Sequence, residues 1–422
     1  MVEVWIDWKG LKQVGSLHRT AGRGRERVSF TYHDDWLADE NAFGLSPDMP
    51  LVKGQFVPEA GQDMLAPLGD SAPDTWGRTV MRRYEGRMAE AEGRRPRVLQ
   101  ETDYLLGVND ETRLGALRFK VDGEFQARKG IGVPALVSLG DLLHASQRVL
   151  RGEETAEDLK MLFAPGSSLG GARPKASILD QHGRLSVAKF PKETDTYCVE
   201  RWEAIALELA RRAGITVSDH TLEMAGNKPV FLSHRFDRNE DGRIPFISAM
   251  AMLGGKDGES YSYLDLADII TSESVTPDQD REELYRRVAF SILVTNLDDH
   301  MRNHGFLRGR GGWHLSPAYD INPVPNQPRM LKSYVDDDNP DASIALHRAQ
   351  HESYLLERGE ADRIIAEVAE ATMAWRDVAR ALGAAEREIK EMTTAFEHEE
   401  ADLARAQTGA AVASRGQSNT PV

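Results

Sequence analysis

The sequence predicts an α+β fold in two lobes, rich in strands first and mostly helical afterwards. Three observations predict it. Val2, Val4, Ile6 and Trp8 alternate with polar neighbours, the period-2 mark of a strand with one buried face. Ser177 to Arg238 reads as two strands, a helix and two more strands. Beyond about Asn239, apolar residues recur at helical spacing, as Leu284, Val288 and Ile292 do in DREELYRRVAFSILVTN. A chain of 422 residues has room for two or three domains or one large two-lobed enzyme.

The elements follow in order. The stretch VEVWIDWKGLKQVGSLHRT reads as β, and RVSFTYHDDWL as a second strand after the AGRGRER turn. In DTWGRTVMRRYEGRMAEAEG, Trp76, Val80, Tyr84 and Met88 share one helical face. SLGDLLHASQRVLRG predicts a helix capped by Ser138. A glycine-rich segment, APGSSLGGARPKASIL, precedes the strands KASILD and RLSVAKFP, which QHG joins as a hairpin. VERWEAIALELARRAG is a helix with Trp202, Ile205, Ala206 and Leu209 on its apolar stripe and Gly214 at its stop. The strands TLEMAG and PVFLSHRFDR follow, joined by a Gly-Asn turn. YSYLDLADIIT and DREELYRRVAFSILVTN are helices, and HGFLR with GWHLS is a short hairpin around GRGG. Long amphipathic helices are expected near Ser353 to Leu382 and Ala385 to Thr408.

Composition narrows the function classes. Hydrophobic residues at 41% and charged residues at 28% are ordinary for a globular protein. The apolar runs fall short of the roughly 18 residues a membrane helix needs, and the N-terminus lacks a basic-then-apolar signal layout, so a cytoplasmic protein is expected. Cys198 is the only cysteine, which excludes an intrachain disulfide or a cysteine-rich zinc site. A net charge of −15 makes the chain alone a poor ligand for nucleic acid. The basic clusters RRPR and RGRGG read as solvated surface.

The densest chemistry lies in NLDDHMRNHGF, directly after an apolar helix. Asp298 and Asn303 lie five positions apart there. Protein kinases use that pair in their catalytic loop, the Asp taking the hydroxyl proton and the Asn holding magnesium. Asp320, in LSPAYDINP after the predicted hairpin, sits where a kinase places its second metal-holding Asp. Lys189 ends an apolar strand, the place of a kinase's phosphate-binding lysine, with Glu203 its expected partner on the next helix and Glu200 the alternative. Gly170 and Gly171, with Arg173 and Lys175 nearby, can form an anion cradle, although the segment matches neither a P-loop nor a kinase glycine loop. Other readings are a metal hydrolase or oxygenase built on His300, His304 and Asp298, and a kinase acting on a small molecule.

Together these motifs resemble the HipA family, the kinase toxins of bacterial toxin–antitoxin pairs. SSLGGARPKASI is similar to its phosphate loop, VAKFP to its lysine strand, HRFDR to its hinge, NLDDHMRN to its catalytic loop and LSPAYDINP to its magnesium motif. FGLSPDMPLVKGQFVPE resembles its N-terminal subdomain. The resemblance implies a two-lobed, protein-kinase-like Ser/Thr kinase using ATP and Mg2+. It divides the chain into an N-terminal subdomain (1–110), an N-lobe (111–240) and a helical C-lobe (241–408); the small, polar tail 409–422 is expected to be disordered. Asp298 would be the base, with Asn303 and Asp320 as metal ligands. ATP would be met by Lys189, Gly170, Gly171, Lys175, Glu203, His300 and backbone near Phe236. Ser168, or the adjacent Ser167, would be autophosphorylated, adding nearly two negative charges where ATP phosphates bind and switching the enzyme off. The implied partners are a HipB-like helix-turn-helix antitoxin, operator DNA through that antitoxin, a second copy of the chain in the assembly, and a translation protein as substrate. A non-catalytic co-repressor is the alternative within the family. The chain departs from many relatives at His234 and Asp299, where an acidic and a small residue respectively are common.

Overall fold

The computed structural model describes residues 1–21, 25–126, 139–163, 171–256 and 258–406. They form two compact units. One comprises Met1–Asp195, Asp219–Asp257 and Gly305–Gly309; the other comprises Thr196–Ser218, Gly258–His304 and the chain from Arg310 onward.

The two larger antiparallel sheets lie in the first unit. In the six-stranded sheet, β1 (Val2–Asp7), β2 (Leu11–Ala21), β3 (Glu26–Tyr32), β4 (Gln55–Phe56), β5 (Leu117–Val121) and β6 (Glu124–Phe125) lie in the order β4-β3-β2-β1-β5-β6. The opening β stretch is thus two strands. Lys9 and Gly10, both at positive φ (52° and 100°), turn the chain between them. The alternation runs on past this turn, so periodicity alone hides it. The pairing slips between Val4 and Trp5, which lets the fully buried Val14 bulge into the core. Gly15 follows it, and a Cβ there would stand 2.3 Å from the Thr31 carbonyl oxygen.

The second sheet holds β7 (Lys175–Leu179), β8 (Leu185–Lys189), β9 (His220–Ala225) and β10 (Lys228–His234), in the order β7-β8-β10-β9. Its buried face carries Ala176, Ile178, Ala188, Val230 and Leu232, in one core with Trp76, Val80, Leu142, Val149 and Leu159. Those five come from the helices Thr75–Ala91, Leu139–Arg151 and Ala156–Phe163. Each fully buried side chain of this size contributes about 1.5–3 kcal/mol. The first helix starts at Asp74, whose Oδ1 accepts from Gly77 N at 2.8 Å. The expected cap Ser138 lies outside the described residues.

The second unit is helical. Val199–Arg212, Tyr263–Glu273 and Pro277–Leu293 are its principal early helices. Ser262 and Asp265 close a capping box at the start of the second. The two long C-terminal helices expected from the sequence are instead broken into Arg358–Met373, Trp375–Ala381, Glu386–Glu391, Thr393–Phe396 and a last helix at 399–406. The breaks bring Trp375 and Phe396 into a stack at 4.7 Å, with Trp202 about 6 Å from both (6.2 and 6.0 Å). An apolar period carried across short turns looks continuous in sequence, and Gly383, at φ 76°, marks one of them. The tail expected to be disordered lies outside the described residues.

Candidate active site

The loop that begins at Thr295 is anchored before it reaches its acidic residues. The Pro277–Leu293 helix leaves carbonyls open at its end, and residues distant in sequence satisfy them. Arg329 donates to Ile292 O at 2.6 Å, and His398 Nε2 to Leu293 O at 3.2 Å. Thr295 takes a positive φ of 55°, unfavourable for a β-branched residue. Its hydroxyl donates to Ala395 O at 2.7 Å and accepts from Arg329 at 2.6 Å, which holds it there.

Asp298 and Asn303 meet within this loop. Asn303 N donates to His300 O at 2.7 Å, closing a turn, and Asn303 Nδ2 donates to Asp298 O at 3.1 Å. That bond leaves Asn303 Oδ1 buried with no hydrogen-bond partner among the described residues. Burial pushes the Asp298 carboxyl above the usual range; charge on His300 works against this, Asp320 adds to it, and Lys332 opposes it. Asp320 therefore acts on Asp298 from the downstream motif. Its backbone is left-handed, at φ 59°, and its Oδ1 accepts from Asn322 Nδ2 at 3.1 Å. Tyr319, just before it, ties the two motifs together by donating to Arg302 O at 2.8 Å. His300 shapes the turn through its carbonyl; its ring Nδ1 is buried and has no hydrogen-bond partner among the described residues.

Asp299, whose role the sequence left open, is a buried anchor. Its Oδ2 accepts from Tyr263 Oη at 2.7 Å and Ser291 Oγ at 3.1 Å, and its carbonyl accepts from Ser333 Oγ at 2.6 Å. His304 Nε2 lies 3.1 Å from Oδ1. Burial opposes its ionisation, but His304 and these hydrogen bonds hold the carboxyl below the usual range. His304 thus faces Asp299 and packs edge-on to Tyr263, which argues against a metal site shared with His300 and Asp298. Among the described residues no group of three or more His, Cys, Asp or Glu side chains is arranged to hold a metal ion.

In the other unit, strand register sets the lysines. Lys189 on β8 lies opposite Lys175 on β7 and Phe231 on β10, with its Nζ 5.7 Å from the Phe231 ring. Lys175, expected among the phosphate contacts, is instead committed to the protein. It is 3% exposed, and its Nζ lies 2.7 Å from Asp74 Oδ2. A buried ammonium beside a second lysine needs a counter-ion, and the cap of the Thr75–Ala91 helix supplies it. Trp76 Nε1 adds a bond to Lys175 O at 3.0 Å, and Trp76 N one to Gly171 O at 3.4 Å. Arg173, the other basic residue of the proposed cradle, pairs with Asp195. Gly170, Ser167 and Ser168 lie outside the described residues.

Phe236 sits in the turn after β10, with its ring 6.0 Å from that of Phe246. Its neighbours are stitched to residues 112–115, which pattern reading did not reveal. Arg235 donates to Asp237 and to the carbonyls of Thr112 and Arg113; Asp237 Oδ2 accepts from Gly115 N at 2.6 Å. Against the cost of full burial, Arg235 and Arg238 hold the Asp237 carboxyl down at about 2. His234 fits as a neutral ring. Arg184 can only donate to its Nε2 (3.2 Å), so Nδ1 carries the proton and donates to Ser186 Oγ at 2.7 Å. Glu203 and Glu200 are both buried on the Val199–Arg212 helix, so burial does not choose between them.

Residues 2–101 match the family model of the HipA N-terminal domain, and residues 167–376 that of the HipA-like C-terminal domain. Toxin YjjJ of Escherichia coli is 28% identical over 200 residues, which is 44% of this chain and 45% of that protein. The chain thus spans under half the length of that relative. A Sinorhizobium fredii protein named "Putative kinase Y4mE" is 23% identical over 70% of this chain and 71% of its own length. Among solved structures, HipA of Shewanella oneidensis, in a complex with HipB and operator DNA, superposes with a TM-score of 0.70 at 16% identity, covering 97% of both chains. The expected α+β, kinase-like fold is thereby borne out, and the chain belongs to the HipA family.

Proposed function

We propose that this protein is an ATP- and Mg2+-dependent protein Ser/Thr kinase and the toxin half of a toxin–antitoxin pair. The observation that carries the reading is Asn303. Its Nδ2 bond to Asp298 O orients the amide so that a buried oxygen has no partner among the described residues, close in the chain to a carboxylate that burial makes more basic. A hard amide oxygen and the Asp320 carboxylate suit Mg2+, which needs few protein ligands when phosphates and water complete its shell. When bound, Mg2+ would neutralise charge on the transferred phosphoryl group. Asp298 takes the proton from the acceptor hydroxyl, a task its raised basicity favours. Lys189 meets the ATP phosphates, and backbone near Phe236 meets adenine.

Regulation follows from the glycine-rich segment, where phosphate on Ser168 or Ser167 would compete with ATP by charge. The partners are a HipB-like antitoxin and, through it, operator DNA. A chain of net charge −15 needs such a partner to grip DNA. The substrate is a translation protein, with an aminoacyl-tRNA synthetase the leading class, in the cytoplasm. Among the described residues no helix is long and apolar enough to cross a membrane. A phosphoproteome of cells expressing wild type against Asp298→Ala tests the substrate. Sites gained on a translation protein only with wild type support the reading, and identical phosphoproteomes refute it.

A further inference from the structure

An unbroken hydrogen-bond chain runs from the buried anchor Asp299 to the metal-site carboxylate Asp320. Tyr263 Oη and Ser291 Oγ donate to Asp299 Oδ2, at 2.7 and 3.1 Å. Asn296 Nδ2 donates to Ser291 Oγ at 3.2 Å, and Asn296 Oδ1 accepts from Asn322 N at 2.9 Å. Asn322 Nδ2 then donates to Asp320 Oδ1 at 3.1 Å. Tyr263, Ser291, Asn296 and Asp299 are all buried, so water is a poor substitute for these partners.

The chain has a direction, and Asp299 sets it. An ionised carboxylate only accepts, so the single hydroxyl proton of Ser291 must point at it. Ser291 Oγ is then left to accept, which requires the NH2 of Asn296 on that side. The carbonyl oxygen of Asn296 must therefore face the other way, where Asn322 N–H meets it. Fixing the Asn322 backbone places its side-chain NH2 on Asp320, a residue already held in an uncommon left-handed conformation. We propose that Asn296 and Asn322 are positioning residues, which transmit the orientation set by Asp299 to the Asp320 carboxylate and pre-form the metal site. The proposal rests on the kinase reading, since it concerns how that reading's metal ligand is aimed. Partners that orient a ligating carboxylate typically matter 10–100-fold for metal affinity.

The test is Mn2+ binding, read by electron paramagnetic resonance with a non-hydrolysable ATP analogue present. It compares the full chain with Asn296→Ala, Asn322→Ala, Asn322→Ser and Asp320→Ala, each checked for folding by circular dichroism. Asn322 is only half-buried, so its variants keep the test open if Asn296→Ala fails to fold. The expected result is Mn2+ affinity weakened roughly 10–100-fold in both alanine variants, and partly recovered in Asn322→Ser, which keeps a donor. Wild-type affinity in Asn322→Ala, alongside its loss in Asp320→Ala, overturns the positioning role and leaves the kinase reading standing. A wild type that binds no Mn2+ with the nucleotide overturns both.

Discussion

Asp298 and Asp299 are adjacent in sequence and opposite in environment. Burial raises the first, with His300 and Lys332 opposing and Asp320 assisting; the second is lowered, because His304 and two hydroxyl donors outweigh its burial. The consequences for stability have opposite signs. Asp298 is easier to protonate folded than unfolded, so ionising it weakens the fold as pH rises through its folded pKa. Asp298→Asn is therefore expected to raise the melting temperature at pH 7, with the gain fading in acid; calorimetry across pH reads this directly. Asp299 stabilises the fold above its unfolded pKa, and that contribution is lost as pH falls through its lower folded value. Removing it with Asp299→Ala strands buried donors and is expected to cost about 3–5 kcal/mol in urea unfolding. The Asp298–Asn303 pair was legible because five-residue spacing places both in one loop. The role of Asp299 was not, because it depends on Tyr263 and Ser291, 36 and 8 residues away.

At the scale of elements, what mattered was how strands and helix ends meet. The hairpin of β7 and β8, the Val199–Arg212 helix and the following strands were readable from period and turn residues. Their register was not, and register is what sets Lys175 beside Lys189 and gives it Asp74 as counter-ion. Asp74→Ala both uncaps the Thr75–Ala91 helix and removes the carboxylate that lies 2.7 Å from a buried ammonium. A loss of about 3–5 kcal/mol is expected, larger than the roughly 1 kcal/mol of a lost cap alone. A loss near the smaller figure in denaturant unfolding would show that Lys175 finds another acceptor. The segment after β10 makes a second prediction. Asp237, with a folded pKa of about 2, contributes stability fully above its unfolded value, near 3.9, and loses it as pH falls toward 2. Asp237→Asn should flatten the acid limb of the stability curve as well as lower its plateau.

Across the whole molecule, the order of motifs carried the family: glycine segment, lysine strand, hinge, catalytic loop and magnesium motif follow one another as the resemblance requires. The breaks in the C-terminal helices were hidden, because Trp375 and Phe396 keep an apolar period while the chain between them turns. Charge also belongs to this scale. Arg94 and Arg97 of the RRPR cluster pair with Glu85, so this basic patch is largely neutralised locally. With a net charge of −15, the chain alone is expected to bind operator DNA no better than unrelated DNA in fluorescence anisotropy, and the antitoxin complex to bind it with strong salt dependence. The kinase assignment is the claim on which the rest depends, and transfer of labelled phosphate from ATP to the protein itself tests it most directly. Wild type with Mg2+ should incorporate label on Ser168 or Ser167, and Asp298→Ala, folded by circular dichroism, should incorporate at least about 100-fold less. Undiminished labelling of Asp298→Ala, or none of wild type purified free of phosphate, would contradict the account.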